Sequence, residues 1–271
     1  MAKRKELVVV KLGGSVITLK DQNRLEINSG NLERLAKEIA EAWKAKGFSL
    51  VVVHGAGPFG HVPAKKYELD KGLKGDKQVI GFSETHASME RLNSRVVDAL
   101  RRKGLDAVAF QPSAGGILRN GKLVKFPVDV LENMLGMGLV PVAYGDVLFD
   151  EERGVSILSG DHLVPYLAEK LKAGRVILVA DVGGVYNKDP KKNMDAKIMK
   201  ELSRGNVHEI KEIGSSRGVD VTGGMGKKLE ELLRLADVGI ESEIISGLEP
   251  GLLKRSLLGG KGLGTIIKKK T

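Results

Sequence analysis

Short apolar runs alternate along this chain with longer stretches in which apolar residues recur every three or four positions. That rhythm predicts strands alternating with amphipathic helices. Leu7-Val8-Val9-Val10-Lys11-Leu12 predicts a strand, and Leu50 to Val53 the next. Between them, Leu32, Leu35, Ala36, Ile39 and Trp43 share one face of a helix from Asn31 to Ala45, which Gly47 stops. Ser83 is placed to cap a long helix running through Arg102. Asp106 to Phe110 is the following strand, and Ile117 to Val124 predicts a hairpin turning at Asn120-Gly121. A helix from Val128 to Met137 and a strand from Val140 to Tyr144 come next. Val147–Phe149 and Val155–Ile157 predict a second hairpin. A helix from Asp161 to Lys172, a strand from Val176 to Ala180, a helix spanning Glu230 to Asp237 and a strand from Glu241 to Ile245 continue the rhythm. Thr265-Ile266-Ile267 predicts a final edge strand. The alternation predicts an α/β fold, a three-layer α/β/α sandwich around a central, mainly parallel sheet.

The strand ends carry the candidate chemistry. His54-Gly55-Ala56-Gly57-Pro58-Phe59-Gly60-His61 follows the second strand, and its glycines free backbone N–H groups to face an anion. The letters also match the Gly-x-Gly-x-x-Gly dinucleotide fingerprint. A dinucleotide fold further requires an apolar strand ending in an acidic residue about 20 residues on. The residues after His61 are polar and broken by glycines, and no such strand ends near Glu84. A structural turn remains the plain alternative for this loop. Lys11-Leu12-Gly13-Gly14-Ser15 closes the first strand with a charge and two glycines, and Lys20 follows a short loop later. It is not a Walker A loop, because the chain holds no Gly-x-x-x-x-Gly-Lys-Ser/Thr. Ser159-Gly160-Asp161 opens a helix, where Asp161 is either a first-turn acid or a residue that orients lysines. Asp181-Val182-Gly183-Gly184 follows a strand. Asp220 to Lys227 forms another glycine-rich loop that opens a helix with a lysine at its start. Several glycine loops, each near a lysine, point together to a polyphosphate site.

Composition narrows the possibilities. The 271 residues suffice for one large domain or two small ones, and 42% hydrophobic with 29% charged residues is an ordinary globular balance. The formal net charge of +10 is spread along the chain, and aromatics are only 4%. A nucleic-acid binder concentrates its cations and interleaves aromatics, so no nucleic-acid partner is expected. Cysteine is absent, which excludes disulfides, zinc–thiolate centres and cysteine nucleophiles. No stretch approaches a membrane span and the first apolar run is too short for a signal peptide, so a cytoplasmic protein is expected. The loop before Val176 is the best place for two lobes to meet, about 1–173 and about 174–271, within one domain.

The ordered set Lys-Leu-Gly-Gly-Ser, His-Gly-Ala-Gly-Pro-Phe-Gly-His, Ser-Gly-Asp, Asp-Val-Gly-Gly-Val-Tyr and Asp-Val-Thr-Gly-Gly-Met resembles the amino acid kinase superfamily over essentially the whole chain. The Phe59-Gly60-His61 ending, Lys20 and Tyr144-Gly145-Asp146 are similar to the isopentenyl phosphate kinase family within it. That family moves the γ-phosphate of ATP onto isopentenyl phosphate in an archaeal-type mevalonate route. The resemblance implies that Gly55, Gly60, His61 and Gly160 hold the acceptor phosphate. It implies ATP contacts from Lys11, Leu12, Gly13, Gly14, Ser15, Ala56, Asp181, Gly223 and Lys227. Lys20, His61, Lys11 and Asp161 would be the catalytic set, Lys20 stabilising the transferred group and Asp161 orienting lysines. ATP with Mg²⁺ and a homodimer are implied, with Mg²⁺ riding on the nucleotide rather than on a protein metal site. Val79, Ile80, Phe82 and Met89 are candidates for the apolar tail pocket. Two positions depart from the pattern: Gly183 stands where Asp is frequent, and Pro58 removes one N–H from the acceptor loop. Other acceptors of the same fold stay open (a phosphonate, an acylamino acid, carbamate or a nucleotide), as does a non-catalytic nucleotide-binding module.

Overall fold

A computed structural model describes residues 5–19, 25–190, 192–210 and 223–270. In chain order the elements are β1 (Leu7–Leu12), α1 (Gly14–Ile17), α2 (Ser29–Lys46), β2 (Ser49–His54), α3 (Pro58–Lys66) and α4 (Asp76–Arg102). Then follow β3 (Ala107–Ala109), β4 (Ile117–Arg119), β5 (Lys122–Lys125), α5 (Val128–Gly136), β6 (Val140–Tyr144), β7 (Asp146–Asp150) and β8 (Gly154–Leu158). The chain continues through α6 (Gly160–Lys170), β9 (Arg175–Ala180), β10 (Glu201–Leu202), α7 (Gly223–Asp237), β11 (Glu241–Ser246), α8 (Leu252–Leu257) and β12 (Thr265–Ile267). Among the described residues the main sheet runs β10-β12-β11-β9-β1-β2-β6-β3. It is parallel except where β12 meets β11.

The expected sandwich follows from the central strands, whose side chains are apolar on both faces. Val8, Val10 and Leu12 pack with α2, α4 and α8 on one side. Val9, Val51 and Val53 pack with α6 and α7 on the other. Register then builds the site. Leu12 stands beside His54 on β2 and Val179 on β9, and His54 beside Tyr144 on β6. The carboxyl ends of four neighbouring parallel strands therefore finish level, and the loops after them meet at one edge.

Three expectations are corrected. The long helix begins at Asp76 rather than Ser83, because Gly75 precedes it and the buried Gln78 fastens its first turn. The Gln78 side chain accepts from Lys74 N–H and donates to the Tyr67 carbonyl. The second half of the glycine-rich loop and the residues after it form the helix α3; Pro58 is its first residue, where a missing N–H costs nothing. Thr265–Ile267 is not the sheet edge, since the two-residue β10 pairs outside it.

The two hairpins form as expected, Asn120 and Gly121 both with positive φ. They join through β4 and β7 into a four-stranded sheet. The buried carboxylate of Asp150 ties them, accepting the backbone N–H groups of Asn120, Gly121, Glu152 and Arg153. Burial alone would raise its pKa, but the N–H groups of Gly121, Arg153 and Glu152 hold it down at about 2.

Candidate active site

The level strand ends open into a cavity of about 920 Å³. Lys11, Gly13, Gly14 and Ser15 line it from the β1 loop, and Gly55, Ala56, Gly60 and His61 from the β2 loop and α3. Gly160 and Asp161 enter from the start of α6, and Asp181 from the end of β9. These residues, chosen from sequence, are thus brought together.

Glycine here serves contact as much as it frees N–H groups. A Cβ on Gly14 would lie 2.3 Å from the Gly57 nitrogen, and one on Gly55 would lie 2.6 Å from the Gly14 nitrogen. Gly57 itself turns at φ +51°. The β1 and β2 loops are pressed backbone to backbone, a fit no other residue allows. Gly160 plays a similar part, since the Lys11 side chain runs across it toward Asp161.

Charge is arranged around these loops. Lys11 is buried and its Nζ lies 2.7 Å from Asp161 Oδ1. Lys228, one turn into α7, reaches the same oxygen at 3.4 Å. Burial lowers the Lys11 pKa, opposed by the Asp161 charge and seconded by Lys228. Burial would raise Asp161, yet the two lysines outweigh it and hold the carboxyl below its ordinary value. Two helices, α3 and α6, start at the cavity, and neither N-cap residue makes a side-chain capping bond. Their first N–H groups, with the partial positive charge of each helix end, are available to an anion. Two ammonium groups, two helix N-termini and His61 make a site for two polyanions brought close together.

Several placements differ from expectation. Leu12 does not line the cavity; its side chain is fully buried, and its carbonyl accepts the Gly55 N–H. Lys20 and the Asp220–Thr222 part of the third glycine loop lie outside the described residues, as does the Lys227 side chain. Gly223 is the first residue of α7. The lysine of α7 that faces the cavity among the described side chains is Lys228. Helical spacing carried that signal, because position 228 shares a face with Leu232 and Leu235, both buried. Of the tail-pocket candidates, Met89 lines the cavity, whereas Val79 and Ile80 are exposed. Phe82 packs instead with Leu69, Val147 and Val155. Ile157 on β8 and Thr85 on α4 also line the cavity. They escaped notice because the cavity face of α4 includes a threonine, and β8 reads as an ordinary hairpin strand.

A sheet with phosphate-type loops at its carboxyl edge, two cavity lysines on one carboxylate and no Walker A loop defines a small-molecule phosphotransferase of the amino acid kinase type. The sequence model of the Amino acid kinase family matches residues 6–246. The isopentenyl phosphate kinase of Methanothermobacter thermautotrophicus is 40% identical, covering 97% of this chain and 100% of the relative. That of Methanocaldococcus jannaschii is 36% identical over 93% and 95% respectively. A solved structure of an isopentenyl phosphate kinase superposes with a TM-score of 0.84 at 38% identity, covering 96% of this chain and all of the other. The chain belongs to the amino acid kinase family and, within it, to the isopentenyl phosphate kinases.

Proposed function

We infer that this protein transfers the γ-phosphate of ATP to isopentenyl phosphate, forming isopentenyl diphosphate. The observation that carries this is one cavity with two parts. His61 and the α3 and α6 N-termini offer a phosphate cradle beside the apolar Met89 and Ile157, and Lys11, near the end of β1, and Lys228 converge on Asp161. Full-length similarity to isopentenyl phosphate kinases supports the same substrate.

In this reading Gly55, Gly60, His61 and Gly160 hold the acceptor phosphate. Gly13, Gly14, Ser15 and Ala56 hold the ATP phosphates, with Asp181, Gly223 and Lys227 toward the rest of the nucleotide. Lys20 stabilises charge on the transferred group, with Lys11 and Lys228 beside it. A phosphate oxygen is already a nucleophile at neutral pH, so no general base is needed. Asp161, held ionised and bound to Lys11, acts as a positioning residue that aims the lysines rather than as a proton acceptor. The work of the site is to align two polyanions and neutralise them. Mg²⁺ would travel on nucleotide oxygens and add positive charge there. Asp181, which lines the cavity, would offer a carboxylate toward that ion from the nucleotide side.

The acceptor lobe would then span about residues 1–173 and the nucleotide lobe about 174–271, at the switch between loop sets. Among the described residues no helix is long and apolar enough to cross a membrane. A cytoplasmic homodimer remains part of the proposal, and light scattering tests the dimer.

The decisive experiment is an ATP-dependent assay across isopentenyl phosphate, dimethylallyl phosphate, fosfomycin and acetylglutamate. The prenyl phosphates are expected to have the highest kcat/KM. A preference for fosfomycin or acetylglutamate overturns the reading.

A further inference from the structure

His54 is the one titratable member of the glycine-rich motif without a place in the chemistry above. It is completely buried and does not line the cavity, yet it directly precedes the loop. Its ring is held from three directions. Tyr144 stacks on it with centroids 5.5 Å apart and planes 17° from parallel. Nε2 lies 3.2 Å from Asn93 Oδ1 on α4, and Nδ1 lies 3.0 Å from the carbonyl oxygen of Gly55.

Burial lowers the His54 pKa to about 4, so the ring is neutral at physiological pH. A neutral imidazole has one N–H and one lone pair. The Gly55 carbonyl can only accept, so the proton must sit on Nδ1. Nε2 is then an acceptor, and Asn93 must turn its amide NH₂ toward it, with oxygen and nitrogen exchanged. The Gly55–Ala56 peptide is trans, as are all described peptide bonds. Its N–H therefore points opposite to its carbonyl. With the carbonyl held by His54, the Ala56 N–H is directed away from the ring, and Ala56 lines the cavity. Among the described residues this N–H has no hydrogen-bond partner. The Gly55 N–H is likewise fixed, on the Leu12 carbonyl at 2.8 Å.

We propose that His54 is a positioning residue whose Nδ1–H locks the Gly55–Ala56 peptide plane, so that the Ala56 N–H is presented to phosphate. The assignment of that N–H to phosphate rests on the kinase function inferred above. The tautomer does not.

Two measurements on the full-length protein test it. In histidine-labelled protein, ¹⁵N and ¹³C spectra should contain one histidine that does not titrate between pH 8 and pH 5 and carries its proton on Nδ1. Finding that ring protonated on Nε2 overturns the proposal, whatever the enzyme phosphorylates. The second is a pair of variants. His54→Asn keeps a donor near the Nδ1 position, and His54→Gln keeps only the reach of Nε2. His54→Gln should lower kcat/KM for ATP by about tenfold, the effect of misaligning one phosphate donor, and His54→Asn by several-fold less. A purely structural histidine would show no such ordering once melting temperatures are matched. Equal losses, or a greater loss in His54→Asn, overturn the proposal. An Nδ1 tautomer in a protein inactive on isopentenyl phosphate would instead sink the assigned function alone.

Discussion

Lys11 and Asp161, 150 residues apart in sequence, meet through a 2.7 Å hydrogen bond at the carboxyl edge of the sheet. β1 delivers the lysine and the first turn of α6 the carboxylate, and Lys228 on α7 completes a triangle. Burial lowers the Lys11 pKa, and the Asp161 carboxylate opposes that lowering.

Loss of the carboxylate should therefore show in the pH profile. In the proposed reaction Lys11 acts as a cation, and its pKa lies below the ordinary 10.5. Activity should accordingly fall as pH rises through a point under 10.5. In Asp161→Asn the raising influence of Asp161 is gone, so the alkaline limb should move to lower pH. The maximal kcat should drop by about 10–100-fold, as when preorganised charge is lost from a transition state. An alkaline limb that does not move separates Lys11 from Asp161.

His61→Ala should lower phosphorylation of isopentenyl phosphate far more than nucleotide binding. His61 is exposed at the cavity and stands on α3. Steady-state kinetics beside calorimetric ATP titration distinguish the outcomes. Unchanged turnover would remove His61 from the acceptor site.

Asp150 should govern acid stability of the four-stranded sheet. Its folded pKa of about 2 lies beneath the ordinary 3.8. The sign follows from linkage: its contribution is full above about pH 4 and disappears as pH falls toward 2. Asp150→Ala leaves four backbone N–H groups without their acceptor and should cost about 1–3 kcal/mol at neutral pH. Denaturant melts across pH 2–7 check both, and the variant should lose the acid-sensitive part of the curve.

Two glycines in similar-looking contexts should respond in opposite ways. Gly14→Ala forces a methyl group against the Gly57 backbone and should destabilise by about 1–3 kcal/mol with loss of activity. Gly30→Ala, in the first turn of α2 with nothing within 4 Å, should stabilise by up to about 1 kcal/mol. Thermal denaturation of both variants gives the comparison.

The strands and most helices were legible because β-branched runs and three-to-four-residue spacing survive tertiary context. Val8–Leu12 and Leu32–Ile39 behave in the fold as their patterns require. The site was legible where glycines and lysines cluster at strand ends. What escaped notice depends on contacts between distant segments. The start of α4 is set by Gln78 reaching Tyr67, which no local pattern reveals. The helix α3 hid behind prolines that suit, or are tolerated in, its first turns. Lys228 was obscured because nothing in the local sequence sets it apart from the lysine before it; its place is fixed by the face it shares with the buried Leu232 and Leu235. Val79 and Ile80 looked like pocket residues, but position on α4 turns them to solvent.

The backbone contact between Gly14 and Gly57 acts as a gauge block. In the proposed assignment one loop carries the donor phosphates and the other the acceptor phosphate, so their separation is machined into the main chain. No side-chain exchange elsewhere resets it. A new acceptor would have to be won at Thr85, Met89 and Ile157, leaving the phosphoryl gap as it stands.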